Sequence, residues 1–208
     1  MKQVHNYWMP DSDNHFERLI TKRINNGGPA EYQDDVRDEA YQYVTDFNLA
    51  VDVGANVGFW ARPLTKKFNK VIAFEPMVQV YKCLELNVQG LPVTINKYAL
   101  GKVNSTVDLV YDSINTGNSY IKEETFGSGS INIKRLDDLY IPKFGLLKID
   151  CERHELPILE GGIKTILEYK PIVIVEQHAD TEYCAGNFLK SHGAKELTNV
   201  RKDYIFGW

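Results

Sequence analysis

From Leu49 onward, short apolar runs alternate with stretches patterned at helical spacing, and this alternation constrains the chain more than any other feature. Leu49-Ala-Val-Asp-Val53, Val71-Ile-Ala-Phe74, Val93-Thr-Ile95, Leu146-Leu-Lys-Ile149 and Ile172-Val-Ile-Val175 read as buried strands. Between them, Val57, Ala61, Leu64 and Phe68 share a helical face, as do Met77, Val80, Tyr81, Leu84 and Val88. Pro63 must fall early in the first of these helices or kink it. A further helix is expected from about His154 to Tyr169, and a last one from about Thr181 to His192. Strands joined by crossover helices build a parallel sheet covered on both faces. The closing runs, Lys195-Glu-Leu-Thr198 and Tyr204-Ile-Phe206, are separated by only a few residues, so they pair as an antiparallel hairpin. The expected fold is α/β: a doubly wound, Rossmann-like, mostly parallel sheet with a C-terminal antiparallel hairpin.

Two amphipathic helices precede the sheet. Phe16, Leu19, Ile20 and Ile24 form one apolar stripe, which Asn25-Asn-Gly-Gly-Pro29 ends; Val36, Ala40, Tyr43, Val44 and Phe47 form the second. Residues 1–48 are therefore expected to be a helical extension, and residues 49–208 the sheet domain. Residues 102–140 break the alternation: strands near Val107–Val110 and Ile131–Ile133 flank a loop rich in Gly, Ser and Asn, Asn115 to Ser130. The extension and the segment Asp112–Ser130 lie outside the sheet pattern and are expected to form a lid.

Composition narrows the function classes. A chain of 208 residues suits one domain with a small appendage. With 24 Lys+Arg against 28 Asp+Glu the net charge is −4, so no broad basic surface exists for general nucleic-acid binding. The purest apolar run, Ile172–Val175, is far too short to span a bilayer, and the opening Met1-Lys-Gln-Val-His-Asn lacks the apolar core of a signal peptide. A cytoplasmic domain without membrane contact is expected. Cys83, Cys151 and Cys184 are odd in number and far apart, which indicates neither a disulfide framework nor a zinc knuckle.

The sharpest motif is Asp52-Val-Gly-Ala-Asn-Val-Gly58, between an expected strand and helix. Such a turn makes room for a ligand and exposes backbone amides. Its Gly54-x-x-x-Gly58 spacing is not the G-x-G-x-x-G of a dinucleotide site, so a nicotinamide dehydrogenase is disfavoured. The acid close before Gly54 suits a cationic ligand, such as the ammonium and sulfonium of S-adenosylmethionine. Glu75 ends the second strand, where an acid faces the same crevice and accepts hydrogen bonds from ribose hydroxyls. It can equally cap the helix that Pro76 opens. Asp150 stands at the carboxyl end of the fourth strand, followed by Glu152, His154 and Glu155. Glu176 and His178 leave the end of the fifth strand, beside the fourth, and are expected to approach Asp150 and His154. Asp150, Glu152 and Glu176 offer oxygen ligands for a divalent cation, which the sequence permits without requiring. Glu152 and Glu155 also suit an acidic first helical turn.

The strings Val51-Asp-Val-Gly-Ala-Asn-Val-Gly-Phe59, Ala73-Phe-Glu-Pro76, Asn96-Lys-Tyr-Ala-Leu-Gly101, Leu136-Asp-Asp-Leu139, Leu147-Lys-Ile-Asp150, Leu159-Glu-Gly161 and Lys170-Pro-Ile172, with Glu152, Glu155 and Glu176, resemble the FkbM family of methyltransferases over about residues 49–178. The resemblance implies a class I methyltransferase fold, S-adenosylmethionine as donor, and methylation of an oxygen, mostly on hydroxyls of sugars in glycans or of secondary metabolites. The family usually has glycine where this chain has Arg153, an added charge beside the substrate mouth.

On this reading Asp52, Gly54, Ala55, Asn56, Gly58, Glu75 and Pro76 hold the donor, Asn96–Leu100 with Ala99 and Leu100 border adenine, and Asp150 lines the methionyl end. His154 or His178 is the expected base, because imidazole titrates near neutrality; Asp150 also borders the acceptor. Any neighbouring acid would move a histidine midpoint upward from about 6.5. The acceptor is expected to be a small molecule or glycan. A base-modifying DNA methyltransferase is disfavoured, since neither an Asp/Asn-Pro-Pro-aromatic string nor a Pro-Cys nucleophile occurs; Cys151 reads as a buried thiol. A non-catalytic S-adenosylmethionine-binding module or scaffold is the alternative.

Overall fold

The structure, a computed structural model, describes residues 1–110, 112–121, 131–177 and 179–208. A short hairpin, β1 (Lys2–Val4) and β2 (Tyr7–Met9), comes first, followed by α1 (His15–Asn25) and α2 (Asp34–Tyr41). Then come β3 (Leu49–Val53), α3 (Ala61–Leu64), β4 (Lys70–Phe74), α4 (Val78–Asn87), β5 (Val93–Asn96) and β6 (Ala99–Leu100). The irregular region holds β7 (Ser105–Val107), β8 (Leu109–Val110), β9 (Tyr120–Ile121) and β10 (Ile131–Lys134). The chain ends with β11 (Leu146–Ile149), α5 (Glu155–Tyr169), β12 (Ile172–Glu176), α6 (Cys184–Ser191), β13 (Lys195–Val200) and β14 (Asp203–Gly207).

Seven strands form the main sheet in the order β13-β14-β12-β11-β3-β4-β5. The five central and far-edge strands run parallel, and β14 inserts antiparallel between β12 and β13, as the hairpin reading requires. The sheet reverses its winding between β3 and β11, and ligands bind at the carboxyl ends of strands beside such a switch point. Strand alternation divides the core. Leu49, Val51, Val53, Leu147, Ile149, Val173 and Val175 face Ile158, Leu159, Ile166 and Leu189 of α5 and α6. Ala50, Val71, Leu146, Ile174 and Ile205 face Val36, Ala40, Leu64 and Leu84 on the other side.

Two expectations change. The helix foreseen from Val57 to Phe68 shrinks to α3, because a long turn occupies the residues up to Trp60 and leaves Pro63 inside one short helical turn. The N-terminal segment is more than a pair of helices. Its hairpin buries Tyr7 and Met9, and with Phe16 and Ile20 they form a core with Val57, Phe59, Met77 and Val80. Asn87 ties this hairpin down: it accepts from the Trp8 amide at 2.7 Å and donates to the carbonyls of Trp8 and Val57 at 2.8 Å.

Candidate active site

The turn after β3 is held from behind. The amides of Gly54 and Ala55 both donate to the Phe74 carbonyl, at 3.1 and 3.0 Å. Gly54 has φ +79°, and a Cβ there would stand 2.0 Å from the Asp150 carbonyl oxygen. The glycine is required because the β3 turn and the end of β11 touch backbone to backbone, not only to admit a ligand. Gly58, φ +96°, packs on Leu84 and Val88 and does not line the cleft.

Glu75 is buried and ends β4. Its Oε2 accepts from the Asn56 amide at 3.0 Å and its Oε1 from the Met77 amide at 2.8 Å. Burial raises its pKa to about 7, against the two amides. The carboxylate therefore caps the following helix and also faces a cleft lined by Gly54, Asn56, Pro76, Ala99, Leu100 and Asp150. Phe74 and Ile158 add apolar walls, and Thr116 and Ser119 line the cleft from the irregular region. The expected members Glu75, Pro76, Ala99 and Leu100 are thus brought together. The residues fit S-adenosylmethionine: an acid with both oxygens oriented by amides for a ribose diol, an apolar slot for adenine, and Asp150 toward an ammonium.

Asp52, expected to hold the donor, is fully buried, lines neither this cleft nor the second cavity that joins it, and lies beside the Ala61 amide and Lys148, its register partner on β11. Burial raises its pKa to about 6, with Lys148 opposing. Lys148, missed as a site residue, is also buried; its Nζ donates to Asp150 Oδ2 at 3.1 Å and sits 5.4 Å from the Trp60 ring centroid. Burial works against its charge, yet Asp150 and Asp52 outweigh that and hold its pKa above the usual value.

A second cavity joins the first. Gly54, Asn56, Asp150 and Glu152 line both, while Phe16, Tyr32, Phe59, Trp60 and Glu176 line only the second. Ala55 belongs to this second wall and not to the cleft beside Glu75. Asp150, Glu152 and Glu176 each offer an oxygen within 4.8 Å of the others. Burial, then the Asp150 charge and a hydrogen bond from Glu176 to Asp150, raise the Glu176 pKa well above the usual carboxylate range. Burial, then Asp150 and Glu155, raise Glu152 to about 7. Glu155 instead folds back to accept the Cys151 amide at 2.9 Å, a structural task. Burial pushes the Cys151 thiol well above its usual value, which leaves it un-ionised.

His154, expected as a base, borders the first cavity at the Leu100 end, with Nε2 turned toward Gly101, and it does not line the second. Burial lowers its pKa to about 4, opposite to the upward displacement expected from an acid neighbour. His178 lies outside the described residues.

The N-terminal segment meets the irregular region above Asn56. The Thr116 hydroxyl donates to buried Asp13 at 2.6 Å, and Asn56 Nδ2 donates to Thr116 at 3.1 Å. Periodicity gave no sign of Asp13, Thr116, Phe16 or Tyr32 as site neighbours, since each comes from a segment remote from the sheet in sequence.

The sheet order, its reversed hairpin and a cleft at the switch point define the class I methyltransferase architecture. The methyltransferase FkbM domain matches residues 52–194. The hexuronic acid methyltransferase AglP of Haloferax volcanii is 32% identical over 162 residues, covering 74% of this chain and 67% of that protein. The crystal structure of methyltransferase FkbM from Methylobacillus flagellatus matches with a TM-score of 0.50 and 18% identity, over 78% of this chain and 44% of that one. This chain thus spans less than half the length of that structure. Precorrin 8W decarboxylase from Methanobacterium thermoautotrophicum matches with a TM-score of 0.55 and 16% identity over 100% of both chains. These two likenesses concern the fold. The chain belongs to the FkbM methyltransferase family. Among the described residues no helix is long and apolar enough to cross a membrane.

Proposed function

We propose that this methyltransferase acts on a hydroxyl of a sugar, free or within a glycan, with S-adenosylmethionine as donor. The observation that carries the reading is the meeting of two unlike cavities at Gly54, Asn56, Asp150 and Glu152. One holds the amide-oriented Glu75 and an apolar slot. The other combines the rings of Phe16, Tyr32 and Trp60 with carboxylates, a lining suited to the apolar face and the hydroxyls of a pyranose. The relative named for hexuronic acid supports the sugar class.

When bound, S-adenosylmethionine supplies an electrophilic methyl carbon on sulfur. Glu75 orients the ribose, Gly54 and Asp150 border the methionyl end, and Ala99, Leu100 and Ile158 enclose adenine. Lys148 donates to Asp150, while burial and the Asp150 charge favour the protonated form of Glu176, which hydrogen-bonds to Asp150. Glu152 lines both cavities and titrates near neutrality, so it takes the place expected for a histidine and accepts the hydroxyl proton. Such a base is worth roughly 10²–10⁴-fold in rate. Asp13, Thr116 and Asn56 latch the N-terminal segment over the cleft as a lid. The three close carboxylates also fit a divalent cation, whose charge would keep all three ionised.

The test is calorimetric titration with S-adenosylhomocysteine, then transfer of labelled methyl to nitrophenyl glycosides of neutral and uronic sugars. Binding with transfer to a sugar hydroxyl is expected. Absence of binding overturns the donor assignment, and binding without transfer to any sugar leaves a binding module. A chelator that abolishes activity, with recovery on adding magnesium, replaces Glu152 as base by the cation-held set.

A further inference from the structure

Beside the acceptor cavity lies a separate cleft of about 420 Å³, bounded by the β11–α5 turn, the start of α6 and the β13–β14 turn. Arg153, Arg201, Lys202, Gln177, Tyr183 and Tyr204 line it. It adjoins the acceptor cavity through two chain steps: Glu152 to Arg153, and Glu176 to Gln177. The Gln177 amide donates to the Lys202 carbonyl at 2.9 Å, which clamps the hairpin turn to the end of β12. Arg201 engages Asp35 through both guanidinium nitrogens. Lys202 makes no ion pair among the described residues, and both Lys202 and Arg153 act electrostatically on Glu152. Tyr183 and Tyr204 meet edge to face with centroids 5.9 Å apart, and Tyr183 is exposed.

The backbone adds an independent observation. Arg153, Tyr183 and Arg201 have φ of 73°, 54° and 57°, in the left-handed region that favours glycine. They are three of the nine non-glycine residues with positive φ among the described residues, gathered at one cleft. Glycine would meet the backbone demand at lower cost at each of the three positions.

We propose that this cleft is an acceptor subsite for an anionic group, carboxylate or phosphate, carried on the sugar next to the one methylated, with the tyrosine pair receiving that sugar's face. The assignment rests on the sugar-acceptor reading above, and its test separates the two. Wild-type protein saturated with S-adenosylhomocysteine is titrated calorimetrically with glucose 1-phosphate, glucuronic acid and glucose, alongside the variants Arg153→Gly and Lys202→Gln. The glycine variant suits the existing backbone, so loss of folding does not cloud it. The anionic sugars should bind about tenfold more tightly than glucose, weaken with salt, and lose most of that advantage in either variant. Preference between the phosphate and the carboxylate arm identifies the source of the anion. Equal affinity for glucose and the anionic sugars, or an advantage untouched by both variants, overturns the subsite. An advantage lost in the variants, with no methyl transfer to any sugar, upholds the subsite and sinks the acceptor reading. Transfer to neutral glycosides with no anion effect does the reverse.

Discussion

Gly54 and Gly90 share a left-handed backbone, φ +79° and +77°, but differ in surroundings. A Cβ at Gly54 collides with the Asp150 carbonyl, whereas one at Gly90 meets nothing within 4 Å. Gly54→Ala should therefore cost at least about 2 kcal/mol in denaturant unfolding, and Gly90→Ala only about 1 kcal/mol. Equal losses would show that backbone strain alone sets the requirement. Among the acids, Glu152 must be ionised to accept a proton, so the rate should rise with pH through about 7. Glu152→Gln should lower the rate on the order of 10²-fold and flatten that rise. His154, held neutral above about pH 4, should leave the profile unchanged when replaced by Gln. Rates against pH at saturating donor decide this; a rise that disappears only in the histidine variant would restore the imidazole.

Elements rather than single residues govern the turn after β11 and the covering of the cleft. Glu152 and Arg153 are consecutive left-handed residues between β11 and α5. Arg153→Gly should relieve strain and stabilise the protein by about 1 kcal/mol, read from the denaturation midpoint at unchanged m. No gain there would mean that contacts of the arginine side chain offset the backbone cost. The latch between the residues just before α1 and the irregular region hangs on Thr116, which donates to Asp13 and accepts from Asn56. Thr116→Val should weaken S-adenosylhomocysteine binding by roughly fivefold, the effect of about 1 kcal/mol of lost charge-assisted hydrogen bonding. Calorimetry checks it, and unchanged affinity would remove the latch from donor binding. Deleting residues 1–30 is the poorer test, because Tyr7, Met9, Phe16 and Ile20 belong to a buried core and their loss would unfold more than a lid.

At the scale of the molecule, the carboxyl edge of the sheet gathers acids that burial disfavours when ionised. Asp203 is the clearest: burial, then Asp150, raise its pKa to about 7, while Gln33 donates to it at 3.1 Å. A raised folded-state pKa means stability that is complete below the unfolded value near 4 and is lost as pH climbs through about 7. Asp203→Asn keeps the shape and an acceptor for Gln33. The variant should exceed the wild type in melting temperature by a few degrees at pH 8, with little difference at pH 4. A constant offset at both pH values would mean that packing, not ionisation, separates them.

Periodicity in the sequence determined the layered α/β fold, the C-terminal hairpin and the strand ends where a site must form. The reason is that burial forces alternation on strands and a stripe on helices, so both patterns are written locally. Glu75, Asp150 and Glu176 were legible for the same reason: each interrupts an apolar run at its carboxyl end. Asp52 and Lys148 interrupt such runs too, yet their register sets them against each other, with Lys148 and not Asp52 reaching the second cavity, and register is a property of two strands. Gly54 announced a tight turn, but that its neighbour is the Asp150 backbone depends on how β3 lies beside β11. Tertiary structure alone decided the rest: Asp13 reaching Thr116, Phe16 and Tyr32 walling the second cavity, and His154 buried into neutrality near Gly101. Those outcomes depend on desolvation and on contacts between segments far apart in the chain, which no local pattern encodes.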